Sequence, residues 1–254
     1  MKYIFSKKQL ENYKKNGFLL SRNFFTKKDI ENLIKWMDEI ENYKEVKGKW
    51  MKYYDMSLKN KKRFILTRIE NFIDYHKKFK KFILGKKILK QLKKVYGSDV
   101  VLFKDKINFK YPGAKGFKAH QDATIWEGMY NIKSFLTLVI SIDSSNKKNG
   151  RLEIAKNKDK YGLIGKGWKQ MPKKFEKNMN WTSINTFPGD IILFNDYTPH
   201  RSSNNLSNKR RRMIFLTFNK KSDGNHRKKH FKDKRKNFPP NYERKIGKKY
   251  IFHI

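Results

Sequence analysis

The chain contains no cysteine, which excludes disulfides and thiolate metal sites. Acidic residues are scarce: 23 Asp and Glu stand against 62 Lys and Arg, a formal net charge of +39. Long apolar runs are missing as well. The longest, Phe135 to Ile142, falls far short of the ~20 residues a membrane helix needs, so no membrane partner is expected. The start, Met1-Lys2-Tyr3-Ile4-Phe5-Ser6-Lys7-Lys8, lacks the apolar centre of a signal peptide, and a reducing cytoplasm is the expected location. No Pro/Ser/Gly-rich linker and no internal repeat divides the 254 residues. One domain spanning 1–254 is therefore expected.

The positive charge has two readings. One is nucleic-acid or polyanion binding, which would make the protein a non-catalytic binding module. The other is a lysine-rich solvated surface. Lys, Asn, Ile, Phe and Tyr are all abundant, as codon bias in an AT-rich genome produces, and basic residues run along the whole chain. They are denser at Lys209 to Arg212 and Arg227 to Lys236. No base-stacking motif stands out from the scattered aromatics, so nonspecific attraction to polyanions is expected rather than a nucleic-acid partner.

Ser6-Lys7-Lys8-Gln9 and Thr26-Lys27-Lys28-Asp29 resemble capping boxes that open helices. The second helix runs to about Tyr43, with Ile30, Leu33, Ile34, Met37 and Ile40 on one face. Gly17 to Phe25 between them reads as strand-like. Residues 44–66 read as irregular, and Arg68 to Tyr96 as one or two helices broken at Gly85. Residues 1–97 are thus expected to be mostly helical. Strands dominate 98–219: Lys106 to Lys110, Phe135 to Ile142, Ile191 to Phe194 and Met213 to Phe218. Turn chemistry separates them at Tyr111 to Gly116 and Thr186 to Asp190. Residues 220–254 form a basic tail packing on or near the core, in which Phe238-Pro239-Pro240 must leave any helix.

Within the β-rich part lies Phe117-Lys118-Ala119-His120-Gln121-Asp122. On a strand, residues i and i+2 share a face, so His120 and Asp122 can reach one metal ion. A second imidazole stands at His200, in Pro199-His200-Arg201-Ser202. Two histidines and a carboxylate form the ligand set of non-haem Fe(II) oxygenases. Arg211 follows eleven residues after His200, enough chain to turn and return its guanidinium to the same cavity. There it would suit a carboxylate of a metal-bound co-substrate. On a strand Arg210 and Arg212 would point the other way. His-x-Asp alone is weak, since isolated pairs of this kind are common surface features. The candidate ligands, however, all sit at ends of short strands, where a β-barrel opens its mouth.

The stretch from about Val101 to Asn219 resembles the phytanoyl-CoA dioxygenase family of Fe(II)/2-oxoglutarate oxygenases. The resemblance rests on Lys106-Ile107-Asn108-Phe109-Lys110, Pro112-Gly113, His120-Gln121-Asp122, Asn149-Gly150-Arg151-Leu152-Glu153, Pro188-Gly189-Asp190, Pro199-His200-Arg201-Ser202 and Arg211. Asn16-Gly17-Phe18-Leu19 extends it towards the N-terminus. It implies a mainly β fold with flanking helices around a double-stranded β-helix, a jelly-roll of cupin type. Where the family often has Gly-Ser-His, this chain has Ala155-Lys156-Asn157-Lys158-Asp159, a departure that touches the pocket wall and substrate choice.

The resemblance further implies iron held by His120, Asp122 and His200, with 2-oxoglutarate and O2 as co-substrates. Arg211 would meet the distal carboxylate of 2-oxoglutarate, helped by Ser202, with Asn108 and Thr137 as weaker candidates. A carboxylate at 122 argues for hydroxylation, because related halogenating enzymes give that position to chloride. Lys104 and Lys106 alternate with Phe103 and Asp105 and share a face with Asn108. Two inward ammonium groups call for an anion, so a small anionic substrate is expected. Trp126 and Arg201 are further candidates for the substrate wall. Phe103 to Lys110, His120 to Ala123, Lys232-Asp233-Lys234-Arg235 and Phe238-Pro239-Pro240 resemble the aminophosphonate-hydroxylating branch. That implies hydroxylation next to phosphorus, as in 2-aminoethylphosphonate. Another small metabolite or an acyl-CoA is the alternative.

Overall fold

The protein is described by a computed structural model covering residues 4–126, 130–156, 162–164 and 170–250. The start at Met1-Lys2-Tyr3, the departure at Asn157-Lys158-Asp159 and the last four residues of the tail lie outside the described residues.

Both capping boxes form. Ser6 and Gln9 exchange side-chain and backbone hydrogen bonds at the start of α1 (Lys7–Asn16), and Thr26 and Asp29 do so at α2 (Lys27–Glu41). Gly17 ends α1 in the left-handed region and releases the chain into β1 (Phe18–Ser21). Helices α3 (Lys77–Ile83) and α4 (Lys86–Tyr96) are separated at Gly85, as the sequence suggests.

The N-terminal part is nonetheless less helical than expected. Residues 44–66 are not irregular: they carry β2 (Met51–Met56) and the start of β3 (Phe64–Glu70), which ends where a helix was expected. These strands were hidden because β2 breaks the polar–apolar alternation. Lys52, for example, is buried and donates from Nζ to the carbonyls of Glu41 and Tyr43.

Among the described residues, the remaining strands are β4 (Val100–Lys110), β5 (Phe117–His120), β6 (Phe135–Ser141), β7 (Leu152–Ala155), β8 (Trp181–Ile184), β9 (Ile191–Asn195), β10 (His200–Ser202) and β11 (Arg211–Lys220). Short helices α5 (Ala123–Trp126) and α6 (Lys173–Lys177) interrupt them. A seven-stranded sheet has the order β1-β9-β6-β11-β4-β3-β2, and a four-stranded sheet the order β5-β10-β7-β8. The pairings are antiparallel.

The outer face of the large sheet buries Ile107, Leu138, Ile140, Ile214 and Leu216 against Leu33, Met37 and Phe79 of the helices. Its inner face meets the small sheet through Phe18, Val139, Leu152, Ile154, Ile192, Phe194 and Met213. This is the expected mainly β, double-stranded β-helix architecture with flanking helices.

The tail is a built element. Helix α7 (Arg227–Asn237) packs on β4 and stops before Pro239, as the prolines require. Among the described residues no helix is long and apolar enough to cross a membrane.

Candidate metal centre and its cavity

The two sheets separate at one end of the barrel, and the cavity there gathers residues from distant parts of the chain. His200 on β10 pairs in register with His120 on β5, which sets the imidazole centroids 4.2 Å apart. Asp122 lies just beyond the end of β5, in the turn leading to α5. Strand alternation is therefore not what aims it inward. The turn does this, pinned by Gln121, whose side chain donates to the carbonyls of Gly162 and Tyr197 and accepts from the Ile164 amide. One ligand atom from each of His120, Asp122 and His200 lies within 4.8 Å of the others.

The electrostatics suit a divalent cation. His120 Nδ1 faces the carbonyl of Lys118 at 2.7 Å, and His200 Nδ1 faces that of Thr198 at 3.0 Å. Each contact fixes the tautomer with Nδ1 protonated and leaves the Nε2 lone pair available to a metal ion. Burial, and then the neighbouring His200, push His120 down to about 3. Burial also lowers His200. Both rings are thus neutral ligands at physiological pH. Burial opposes ionisation of Asp122, but the two imidazoles and then Lys106 and Lys104 hold it below the usual carboxylate range. Because the imidazoles are neutral, the 3.9 Å approach of Asp122 Oδ1 to His120 Nε2 is a shared metal-facing pole, not an ion pair.

Towards the start of β11, Arg211 turns into the cavity while Arg212 turns out to Asp143 and Asp38. Arg211 is only 2% exposed. It donates to the Gly150 carbonyl at 2.8 Å and to Met213 Sδ at 2.9 Å, and its Nε has no partner among the described residues. Burial lowers it to about 10, so it stays charged at neutral pH. Ser202 is adjacent. Its Oγ accepts from Lys110 Nζ at 2.8 Å and from the Phe117 amide at 3.3 Å, which leaves its hydrogen free to be donated into the cavity. Asn108 also lines the space, with Oδ1 buried and unpartnered among the described residues.

Gly150 has no alternative at its position. Its φ is +77°, and a Cβ there would lie 2.3 Å from the Ser203 carbonyl oxygen and 2.8 Å from Lys110 Nζ.

Further along the inner face lie Lys104 and Lys106, with Trp126 as the facing wall. Lys104 Nζ stands 5.4 Å from the Trp126 ring centre, and Lys106 Nζ stands 4.8 Å from that of Phe215 and 5.4 Å from that of Phe117. Burial, and then Lys104, push the Lys106 ammonium down to about 7.

Two further candidates border the space. Thr137 lies away from Arg211: its hydroxyl meets Thr217 at 3.1 Å, six residues along β11, or ~20 Å of strand. It lies at the Lys104 end, where Asp122 and His200 also line the space. Arg201 borders the cavity, but its guanidinium is held by Glu153 at 2.7 Å and Glu176 at 2.8 Å and stacks on Trp181. It is not available as a cation for a substrate.

Five charged or polar residues in or beside the cavity escaped sequence reasoning. Lys110 continues the 104-106-108 alternation and was legible in principle. Arg68 and Glu70 lie on β3, which the sequence hides. His230 and Lys234 are i and i+4 on α7, one helix face, but are masked by the surrounding lysines. Apart from Lys110, these residues line the metal cavity directly.

The match to the phytanoyl-CoA dioxygenase (PhyH) family extends over residues 13–213. A 2-aminoethylphosphonate dioxygenase from an uncultured bacterium is 40% identical over 251 residues, 97% of this chain and 94% of that protein. A methylphosphonate hydroxylase from Gimesia maris is 28% identical over 231 residues, 91% of this chain and 86% of that protein. Among solved structures, EctD from S. alaskensis with 2-oxoglutarate and 5-hydroxyectoine superposes with a TM-score of 0.72 at 16% identity, covering 87% of this chain and 78% of that one. The likeness confirms the fold. The chain belongs to the phytanoyl-CoA dioxygenase family and is a 2-oxoglutarate-dependent dioxygenase.

Proposed function

We propose that this enzyme hydroxylates an aliphatic C–H bond of a small organophosphonate, with 2-aminoethylphosphonate as the best match and the carbon next to phosphorus as the position attacked. The observation that carries this reading is the charge of the cavity. Among the described residues, Arg68, Lys104, Lys106, Arg201, Arg211 and Lys234 line it against Glu70 and Asp122, with Arg201 already paired to Glu153 and Glu176. A divalent metal adds two positive charges and 2-oxoglutarate removes two. The remaining excess calls for an anionic group beside these cations, which a phosphonate supplies and a neutral metabolite does not.

His120, Asp122 and His200 fit iron as a facial triad of two imidazoles and a carboxylate. Iron, 2-oxoglutarate and O2 together supply an oxidant able to replace C–H by C–OH, with succinate and CO2 as the other products. The residues of the chain set the geometry. Arg211 and Ser202 anchor the distal carboxylate of the keto acid, and Asn108 accepts or donates beside it. Lys104 and Lys106 hold the phosphonate, and Trp126 closes the wall. The aromatic rings around Lys106 keep water from the reacting carbon.

The test is succinate formation from 2-oxoglutarate with a panel of small phosphonates under ferrous iron, with the product identified by phosphorus NMR. Stoichiometric succinate and a hydroxylated phosphonate support the reading. Turnover confined to carboxylates or acyl-CoA esters overturns it.

A further inference from the structure

Glu70 is a fully buried carboxylate in a cavity otherwise dominated by cations. It lies on β3, directly across from Lys106 on β4, so both side chains leave the same face of the sheet. One of its oxygens, Oε2, is met by Lys234 from α7. The other, Oε1, has Arg68 Nε at 3.5 Å but no hydrogen-bond donor among the described residues. The neighbouring His230 is 3% exposed, and its Nε2 also has no partner among those residues. Burial, and then Lys104 and Lys234, hold that imidazole neutral.

We propose that Glu70 is the receptor for a cationic group on the substrate, making the cavity selective for zwitterions that carry an ammonium and a phosphonate a short spacer apart. This rests on the phosphonate reading above and deepens it.

The geometry and the charges agree. Adjacent strands lie ~4.8 Å apart, about the reach of a two-carbon spacer between phosphorus and nitrogen. With the phosphonate on Lys104 and Lys106, the ammonium comes to Glu70 one strand over. Burial opposes ionisation of Glu70, but Lys234, Lys104, Arg68 and Lys106 keep it charged, so it is an acceptor at every physiological pH. The pattern would be wasted on a simple alkylphosphonate. An anion alone gains nothing from a carboxylate beside it, and like charges that close cost affinity. Lys234 fixes the carboxylate in place from α7, outside the family-matched residues 13–213.

The experiment compares 2-aminoethylphosphonate with ethylphosphonate, which lacks the ammonium, by kcat/KM for coupled succinate formation. The wild type is expected to prefer the aminated compound by about 10- to 100-fold, the scale of a charge-assisted hydrogen bond in a buried site. In Glu70→Gln that ratio is expected to fall to within about 3-fold of unity. Lys106→Met should lower both constants together and leave the ratio standing. A wild type that treats the two compounds alike overturns the assignment without recourse to any variant, so a poorly folded Glu70→Gln cannot shelter it. A ratio kept in Glu70→Gln overturns it as well. Phosphonate turnover without ammonium preference counts against Glu70 alone, whereas no turnover of either compound removes the phosphonate reading and this one with it.

Discussion

The two ends of the cavity are built in different ways. At the Arg211 end, buried charges are met by neutral dipoles. Arg211 and Lys110 both donate to the Gly150 carbonyl, and Lys110 also holds Ser202 Oγ. At the Lys104 end, charge is met by charge: Glu70 faces Lys234 and Arg68, with Lys104 and Lys106 close by. The first end comes wholly from β4, β10, β11 and the Gly150 turn, inside the stretch matched to the family. The second recruits α7, outside it. On the proposed function the Arg211 end always receives the same keto acid, and such an end can be fixed once, with rigid dipoles and a required glycine. An end that chooses a substrate is more easily altered when its charges come from elements packed onto the barrel.

The contrast can be broken experimentally. The largest effect is expected at the centre both ends share. His200→Ala should reduce coupled turnover to background and abolish iron retention, read as metal content after anaerobic purification, while the circular dichroism spectrum stays native. Retained iron would mean that the triad is not the metal site.

Arg211→Met should raise the KM for 2-oxoglutarate by about 30- to 1,000-fold, the scale of ~2–4 kcal/mol for a buried charge pair losing one partner. The KM for the phosphonate should hardly move. Lys106→Met should do the reverse, raising the phosphonate KM by roughly 10- to 100-fold with the 2-oxoglutarate KM unchanged. If either variant shifts both constants alike, the division between the ends disappears.

The smallest effect is expected for Arg201→Gln. Its guanidinium already serves Glu153 and Glu176 at a partly exposed site, so stability should fall by about 1 kcal/mol or less and neither KM by more than about 3-fold. A large rise in the phosphonate KM would show that Arg201 leaves its carboxylates to meet the substrate.

Much of this was legible in advance. Ser6 and Thr26 announced their helices, because capping is chemistry between residues three apart. The strand runs around 106–110, 135–142 and 213–218 were read correctly because apolar β-rich segments leave a local pattern. Reading failed where partners are distant. β2 and β3 carry polar residues such as Lys52, Arg68 and Glu70 that are buried only because other segments meet their charges and donors. Where Thr137 falls along the cavity could not be read, because strand register is invisible in one sequence. Lys234 was quoted as part of a basic run, with nothing in that run to distinguish it from its exposed neighbours.

The sequence alone determined the donor types, their order and the local segments that carry them: two imidazoles, a carboxylate, an arginine beyond, and a barrel of short strands. Tertiary structure decided which of the many cations face the iron-binding space, that Asp122 is aimed by a pinned turn, and that β3 and α7 complete the wall. The physical reason is range. Capping, turns and alternation act between near neighbours, whereas the pairing of a buried carboxylate with a lysine more than 150 residues away exists only once the chain has closed on itself.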